Sequence, residues 1–316
     1  MAEKKIIAVA GATGAQGGGL VRAICADPDG GFAARAITRN PESDKAKALA
    51  ALGVEIVQGD LDDEASVEAA FGGAYGAYCV TNYWEYFDPE REIQQARNMA
   101  EAAKNVGLKH VIWSTLDDTR KWVPLDDDRM PTLMDKYKVP HYDGKGEADA
   151  MFAELGVPTT WLLTSFYWDN FIHFGLGPKP GPDGTLQIVF PLGDAKLPGI
   201  AAEDIGRCAY GIFKAGDEYI GKTVGISGGH LSGTEMAAGL GRALGREVRY
   251  QNVSPDTYRG FGFPGADDMG NMFQFKRDFE KDYRAARSVE FTRSLNPTLQ
   301  SFDEWADRNK ERIPVE

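Results

Sequence analysis

Three glycines near the start of the chain have the spacing of a phosphate-binding turn. Gly11, Gly14 and Gly17 form a GxxGxxG pattern that follows an apolar run and opens a predicted helix. Glycine lets the backbone approach a pyrophosphate closely, and a helix start presents unpaired N–H groups to its negative charge. A purely structural turn is the alternative, but the order strand, turn, helix favours a dinucleotide site. The cofactor contacts predicted in this turn are Gly11, Thr13, Gly14, Ala15, Gln16 and Gly17.

The end of the second predicted strand indicates which dinucleotide is preferred. No acidic residue stands there to accept from a ribose 2′-hydroxyl, and Arg39 follows the strand directly. A guanidinium forms paired, charge-assisted hydrogen bonds with phosphate, so we expect NADP(H), with NADPH preferred over NADH. Arg39, Asn40 and Lys45 are the predicted contacts. The alternative is that Arg39 is an ordinary surface arginine.

Polar residues also follow the third and fourth predicted strands. Asp60 and Leu61 are predicted to lie beside the adenine, although a turn or a helix cap accounts for Asp60 equally well. Thr81 and Asn82 are predicted to contact the ribose or the pyrophosphate, because ligands of open α/β sheets bind outside the carboxyl ends of the strands.

The candidate acid/base residues resemble those of the short-chain dehydrogenase/reductase superfamily, with one departure. That superfamily carries a Ser at the end of the fifth strand and a Tyr-x-x-x-Lys on the next helix. Ser114 and Lys145 match, but His141 takes the place of the Tyr, and Tyr142 is rotated by about 100° on a helix. Imidazole can donate a proton near neutral pH, yet a structural histidine is the favoured interpretation of His141. We therefore expect no working dehydrogenase, and we assign Lys145 to the nicotinamide ribose; weak NADPH-dependent oxidoreductase activity stays open.

Alternating strand and helix patterns must position these residues. Such β-α-β repeats predict parallel strands with right-handed crossovers, and hence an α/β, doubly wound Rossmann-type sheet with a smaller, mostly helical C-terminal lobe. We expect an NADP-binding domain over residues 1–163 and a substrate or partner lobe over 164–316, with some segments returning to the sheet. The predicted strands are 6–10, 32–38, 54–58, 74–80, 110–114, 159–163 and 186–190, and the predicted helices of the first domain are 15–26, 44–52, 63–71, 89–106 and 142–155.

Composition excludes several other functions. The net charge is -12 without a block of Lys or Arg, which disfavours direct nucleic-acid binding and a polybasic membrane anchor. No apolar stretch reaches the length of a membrane span. The three cysteines, Cys25, Cys79 and Cys208, are far apart and form no CxxC, which indicates a reducing compartment and no disulfide framework. No metal site is predicted. We expect a cytoplasmic protein that is also found in the nucleus.

Several motifs, spread nearly end to end, resemble the NmrA-like family of atypical short-chain dehydrogenase/reductases, and within it the HSCARG-like NADPH-sensor branch. The late motifs are much more specific than the glycine turn. The motifs are GATGAQGG (11–18), TRNP (38–41), VTNYWE (80–85), DGKGE (143–147), GFPGA (262–266), NMF (271–273) and LNP (295–297).

The resemblance implies an NADP(H)-binding regulatory or redox-sensor protein with little or no dehydrogenase activity. In such proteins cofactor occupancy changes conformation or self-association, so protein partners and a homodimer are expected, and transcriptional regulation is implied. The alternatives are an NADPH-dependent reductase of quinones or aromatic carbonyl compounds that uses Lys145, and an interaction scaffold without cofactor. The implied cofactor contacts are Arg39, Thr81, Asn82, Tyr83, Lys145, Tyr167, Trp168 and Asn170.

Overall fold

The computed structural model describes residues 3–315 as alternating strands and helices in the first half and a mixture of short elements in the second. The strands are β1 (Lys5–Val9), β2 (Phe32–Thr38), β3 (Glu55–Gln58), β4 (Gly76–Cys79), β5 (His110–Thr115), β6 (Thr159–Leu163), β7 (Phe166–Tyr167), β8 (Lys179–Pro180), β9 (Leu186–Phe190), β10 (Leu197–Ile200), β11 (Thr223–Gly225), β12 (Gly229–Leu231) and β13 (Val248–Asn252). The α-helices are α1 (Ala15–Ala26), α2 (Asp44–Ala50), α3 (Glu64–Phe71), α4 (Pro89–Asn105), α5 (Pro140–Glu154), α6 (Asn170–His173), α7 (Ala202–Lys214), α8 (Gly233–Leu244), α9 (Pro255–Arg259), α10 (Ala266–Asp278), α11 (Glu280–Ala285), α12 (Val289–Leu295) and α13 (Phe302–Asn309).

The first of two compact units contains the predicted doubly wound sheet. It comprises residues 3–118, 141–164 and 203–224. The strand order is β11-β6-β5-β4-β1-β2-β3, and the pairs from β6 to β3 are parallel. Chain order reverses between β1 and β4, which is the switch point where open α/β sheets place their ligands. The prediction of an α/β Rossmann-type fold is confirmed.

The central strands are continuous apolar runs because helices cover both faces of this sheet. One face buries alanines of α4 together with Trp113 of β5, whose ring stacks on Phe152 at a centroid distance of 5.2 Å. Elsewhere in this unit α1 and α7 touch through their backbones. A Cβ on Gly206 would lie 2.0 Å from the amide nitrogen of Leu20, so only glycine permits this contact, which fixes the axis of α1.

The second unit comprises residues 119–140, 165–202 and 225–315. It holds two three-stranded sheets, β12-β10-β7 and β13-β9-β8, together with helices α8 to α13. The division at residues 163 and 164 stays a prediction. The contact-defined units interleave along the chain, because the segment 119–140 belongs to the second unit and the segment 203–224 to the first.

Most predicted elements of the first unit have the expected bounds within two residues, and the strands at 32–38 and 159–163 coincide with β2 and β6. The helix predicted from residue 142 begins earlier, at Pro140, whose fixed φ and missing N–H suit the first position of a helix. His141 therefore lies inside α5. Among the helices of residues 3–315, none is both long enough and apolar enough to cross a membrane.

His110, on β5, is a completely buried titratable group at the edge of this core. The Thr160 hydroxyl donates to the Tyr219 carbonyl oxygen, so it accepts a 2.9 Å hydrogen bond from His110 Nε2–H. His110 Nδ1 has no hydrogen-bond partner within the described residues. Burial therefore lowers the pKa of His110 to about 4, because protonation would place an unpaired cation in the core.

This depressed pKa makes stability depend on pH. In the unfolded state His110 is protonated below about pH 6.5, whereas in the folded state it stays neutral down to about pH 4. Stability is therefore lost as the pH falls from about 6.5 to about 4. We expect the free energy of unfolding to fall by roughly 3 kcal/mol over it from this group. Urea denaturation across the window, compared with His110→Gln, measures the effect. The variant should lack this loss, and parallel curves for the two proteins would contradict the assignment.

Candidate functional site

The predicted cofactor residues of the first unit lie at one edge of the sheet. Gly11 comes shortly after β1, Arg39 directly follows β2, Asp60 comes shortly after β3, and Thr81 comes shortly after β4. Because these strands are parallel, their carboxyl ends meet at the same edge. The fold thus brings together the turn, the arginine and the polar residues that the sequence picked out separately.

The glycine turn is held tightly against itself. Gly11 has a left-handed backbone with φ 62°, and a Cβ on Gly17 would lie 2.5 Å from the Gly11 carbonyl oxygen. Gly14 donates its N–H to that same carbonyl oxygen at 2.8 Å. A side chain at position 17 would therefore push α1 away from the turn, so the pattern is required by the backbone and not only by a ligand.

The amide groups that open α1 lack the usual side-chain acceptor. Within the described residues no side chain caps this helix, and its first turn contains no acidic residue. By contrast, α2, α3 and α4 are capped by Ser43, Asp63 and Asp88. An uncapped helix start with a positive dipole end fits an anion, so the turn is suited to the pyrophosphate of a dinucleotide.

Gln16 connects α1 to two strands of the sheet. Its Oε1 accepts hydrogen bonds from the Tyr78 hydroxyl and, at 2.8 Å, from the Ser114 hydroxyl. Ser114, a predicted catalytic candidate, thus lies beside the glycine turn and donates to Gln16. The two hydrogen bonds, from Tyr78 and from Ser114, anchor the first turn of α1 to β4 and β5.

Arg39 forms a bidentate ion pair with a carboxylate of the protein itself. Its Nη1 lies 2.8 Å from Glu85 Oε1, and its Nη2 donates to Glu85 Oε2 at 3.1 Å. Nη1 also donates to the Tyr86 hydroxyl at 2.7 Å. Hydrogen bonding with Glu85 raises the pKa of Arg39, and the same bond lowers the pKa of the Glu85 carboxyl. The guanidinium is therefore fixed at the sheet edge and about half exposed.

The neighbouring predicted contacts are surface residues with local roles. Asn40 Oδ1 accepts from the backbone N–H two residues later, and Lys45 is exposed on the first turn of α2. Asp60 Oδ1 accepts from the Asp62 amide at 3.0 Å, and the Leu61 carbonyl oxygen accepts from helix α4. Asp60 thus forms a turn, which is the second of the two roles expected for it.

Lys145 is the centre of a buried ion pair. Its ammonium lies 3.0 Å from Glu92 Oε1 and donates to Thr81 Oγ1 at 2.6 Å, while Thr81 Oγ1 donates to Glu92 Oε1 at 2.6 Å. The ammonium also stands 5.1 Å from the centre of the Trp113 ring. Only 10% of the Lys145 side chain and 3% of the Glu92 side chain are exposed. The Glu92 carboxylate compensates the positive charge of Lys145, which reaches from α5 to Thr81 at the end of β4.

His141 is enclosed by aromatic rings. Its ring centre lies 4.8 Å from that of Trp84, 4.8 Å from that of Tyr142 and 5.7 Å from that of Tyr83. The side chain is 5% exposed. The imidazole thus packs as a member of an aromatic cluster, in line with the structural role that the sequence favours.

The remaining predicted contacts lie in different parts of the fold. Asn82 is exposed after β4, and Tyr83 is buried in the aromatic cluster. Tyr167, Trp168 and Asn170 belong to the second unit, where the Trp168 indole is buried near Phe302 and Trp305. As cofactor contacts these residues stay predictions.

The sequence did not reveal the two acidic partners of the site. Glu92 lies one turn before Ala96 on the face of α4 that packs against the sheet. A charged residue on an otherwise apolar helix face is a signal that would have identified it. Glu85 stands in an exposed segment with several other acids, and nothing local shows that it pairs with Arg39.

The comparisons with known proteins agree with this geometry. The model of the NmrA-like family matches residues 3–306. The chain belongs to the NmrA-like family. One relative is the NmrA-like family domain-containing oxidoreductase FrzB of Cladobotryum sp, which is 30% identical over 296 residues, covering 85% of this chain and 83% of that protein. The narrower assignment to an HSCARG-like branch stays a prediction.

Solved structures of other proteins share the fold. NmrA, a negative transcriptional regulator crystallised with NADP and with NAD, is 25% identical, with a TM-score of 0.79 over 96% of this chain and 95% of that chain. A triphenylmethane reductase of Citrobacter sp., crystallised with NADP(H), has a TM-score of 0.74 over 96% of this chain and 99% of that chain. At 22% identity that second likeness shows the fold alone.

The buried pair with Glu92 gives Lys145 a role in the stability of the fold. Lys145→Met leaves the Glu92 carboxylate buried without a countercharge, and we expect the free energy of unfolding to fall by about 3 kcal/mol. Adding Glu92→Gln removes the stranded charge and should restore most of that loss. Urea denaturation of both variants measures this, and equal stability of the single and the double variant would contradict it.

Proposed function

We propose that this chain binds NADP(H) at the carboxyl edge of its sheet and acts as a regulatory, redox-sensing protein of the NmrA-like type. Three features support cofactor binding: the uncapped start of α1, the glycine contacts that force its approach to β1, and membership of a family in which NmrA itself was crystallised with NADP and NAD. NmrA's description as a negative transcriptional regulator supports the regulatory part.

The chain's own residues would divide the work of holding the cofactor. The amides at the start of α1 would receive the pyrophosphate, and Arg39 the 2′-phosphate. Thr81, Asn82 and Lys145 would hold the nicotinamide ribose. When bound, the cofactor supplies a hydride for transfer.

The packing of His141 is the observation that carries the regulatory assignment. A dehydrogenase of this superfamily places a proton-donating Tyr four residues before the Lys, and here that position carries an imidazole enclosed by Tyr83, Trp84 and Tyr142. A general acid must come within hydrogen-bond reach of the reacting atom. An imidazole packed among rings in this way is a poor donor to a substrate, so the site favours cofactor retention over turnover.

A second function, reduction of quinones or aromatic carbonyl compounds, is favoured by the name of the FrzB relative, which is described as an oxidoreductase. Lys145 would then be the proton-donating residue. Steady NADPH oxidation that depends on added quinone, and that is lost in the Lys145→Met, Glu92→Gln double variant, would select this function. The double variant is the suitable one because it removes the lysine without stranding the Glu92 carboxylate.

The partners of this regulatory protein are proposed to be other proteins, including a second copy of the chain as a homodimer. We place it in the cytoplasm, with a nuclear population. Cofactor-dependent self-association would connect NADP(H) occupancy to partner binding. Direct binding of nucleic acid or membrane is not part of the proposal, since the net charge of -12 repels both phosphate backbones and anionic lipids.

Titration with NADPH, NADP, NADH and NAD tests the proposal. We expect the phosphorylated pair to bind more tightly than the unphosphorylated pair, and Arg39→Ala to remove about 1.5–3 kcal/mol of this preference, the worth of a hydrogen bond to a charged group. Calorimetry gives the affinities and light scattering the oligomeric state. Lys109→Ala is the control, because it removes an exposed cation that directly precedes β5, at the edge of the sheet opposite the site. Absence of binding by all four dinucleotides would instead support a scaffold, and equal affinities would refute the NADP(H) preference.

A further inference from the structure

Glu85 occupies the side of Arg39 that a phosphate would use. We propose that Glu85 is a specificity-determining residue that competes with the 2′-phosphate of NADP(H) for Arg39, so that the phosphorylated cofactor binds by displacing this carboxylate. The inference rests on the proposed function, and it adds an internal competitor to it.

The geometry of the ion pair leaves no room for a second anion on the same edge of Arg39. Both terminal nitrogens of Arg39 face the two carboxylate oxygens of Glu85, at 2.8 and 3.1 Å. A guanidinium binds phosphate in the same bidentate way, through two N–H groups. Two anions cannot share that pair of nitrogens, because each oxygen would meet a like charge at contact distance. A phosphate that takes this edge must therefore replace the carboxylate.

The Arg39 guanidinium has a second anchor besides Glu85. Nη1 of Arg39 also donates to the Tyr86 hydroxyl at 2.7 Å. The Arg91 guanidinium lies over the Tyr86 ring, 3.5 Å from its centre, in a cation–π contact, and Arg91 also pairs with Asp62. When Glu85 leaves, Tyr86 still holds Arg39 at the sheet edge, ready for the new anion.

Exchanging Glu85 for a phosphate costs little free energy. The side chains of Arg39 and Glu85 are 55% and 35% exposed. Ion pairs this exposed contribute little net stability, since water screens both charges. A phosphomonoester carries nearly twice the charge of a carboxylate at neutral pH and wins the exchange, whereas a ribose hydroxyl does not.

The exchange has a structural consequence at the aromatic cluster. Glu85 ends a short 3-10 turn over Tyr83–Glu85, and Tyr83 and Trp84 of that turn contact His141. Releasing Glu85 removes one of the two ties between this segment and Arg39 and leaves the hydrogen bond to the Tyr86 hydroxyl. NADP(H) therefore loosens the turn 83–85, and NAD(H), which lacks the phosphate, leaves the tie through Glu85 in place. This difference gives a regulatory protein a means to distinguish the two cofactors.

Affinity measurements on Glu85→Gln test the proposal. The variant keeps the shape of the side chain and removes the competing charge, so we expect NADPH to bind about 2–5-fold more tightly, as the loss of an exposed ion pair allows, and NADH to bind unchanged. In an Arg39→Ala background the same substitution should have no effect on NADPH. Glu42→Gln removes an equal charge from a nearby carboxylate that pairs with Lys47 instead, and it controls for general electrostatic effects.

The possible results distinguish competition by Glu85 from NADP(H) binding itself. If the wild-type chain binds no dinucleotide, both fall together. If it prefers NADPH through Arg39 but Glu85→Gln leaves or weakens NADPH affinity, Glu85 is a bystander or a support for Arg39, and only the present proposal is overturned. A gain that is equal for NADPH and NADH, or equal in Glu42→Gln, overturns it as well.

Discussion

The close contact between Gly17 and the backbone of Gly11 is the constraint from which the site follows. It leaves no room for a side chain, so the first turn of α1 lies against the backbone that follows β1. Backbone contact between α1 and α7 fixes the helix from its other side, and Gln16 fixes its first turn to β4 and β5. The helix start is thus held in place before any ligand arrives, and preorganisation of this kind reduces the cost of binding.

The two cations of the site are neutralised in different ways. Lys145 is buried with Glu92, and separating that pair strands a charge in the core, so the pair is permanent. Arg39 is paired with Glu85 in partial contact with water, so the partner is exchangeable. A permanent pair holds Lys145 at the end of β4, whereas an exchangeable pair lets Arg39 respond to which dinucleotide is present. The difference in burial between two similar ion pairs gives them different roles.

Sequence reasoning predicted the parts of the fold that depend on local patterns. The apolar run of β2 and the glycine turn before α1 carry their own signals, since periodicity and backbone conformation are properties of neighbouring residues. Partners that meet only in three dimensions carry no such signal: the carboxylates of Glu85 and Glu92 reach Arg39 and Lys145 across 46 and 53 positions of the chain. For Trp168 the family resemblance implies a cofactor contact, which stays a prediction, and only the structure shows that its indole packs near Phe302 and Trp305.

Amide hydrogen exchange with and without NADPH tests most directly whether the start of α1 receives the pyrophosphate. Exchange read by mass spectrometry over peptides that cover residues 10–20 reports on those amides, and peptides over α3, whose first amides Asp63 already caps, serve as an internal reference. We expect saturating NADPH to slow exchange at the opening of α1 and to leave the start of α3 unchanged. NADPH that binds without protecting residues 10–20 would contradict the account, because the cofactor would then be held elsewhere.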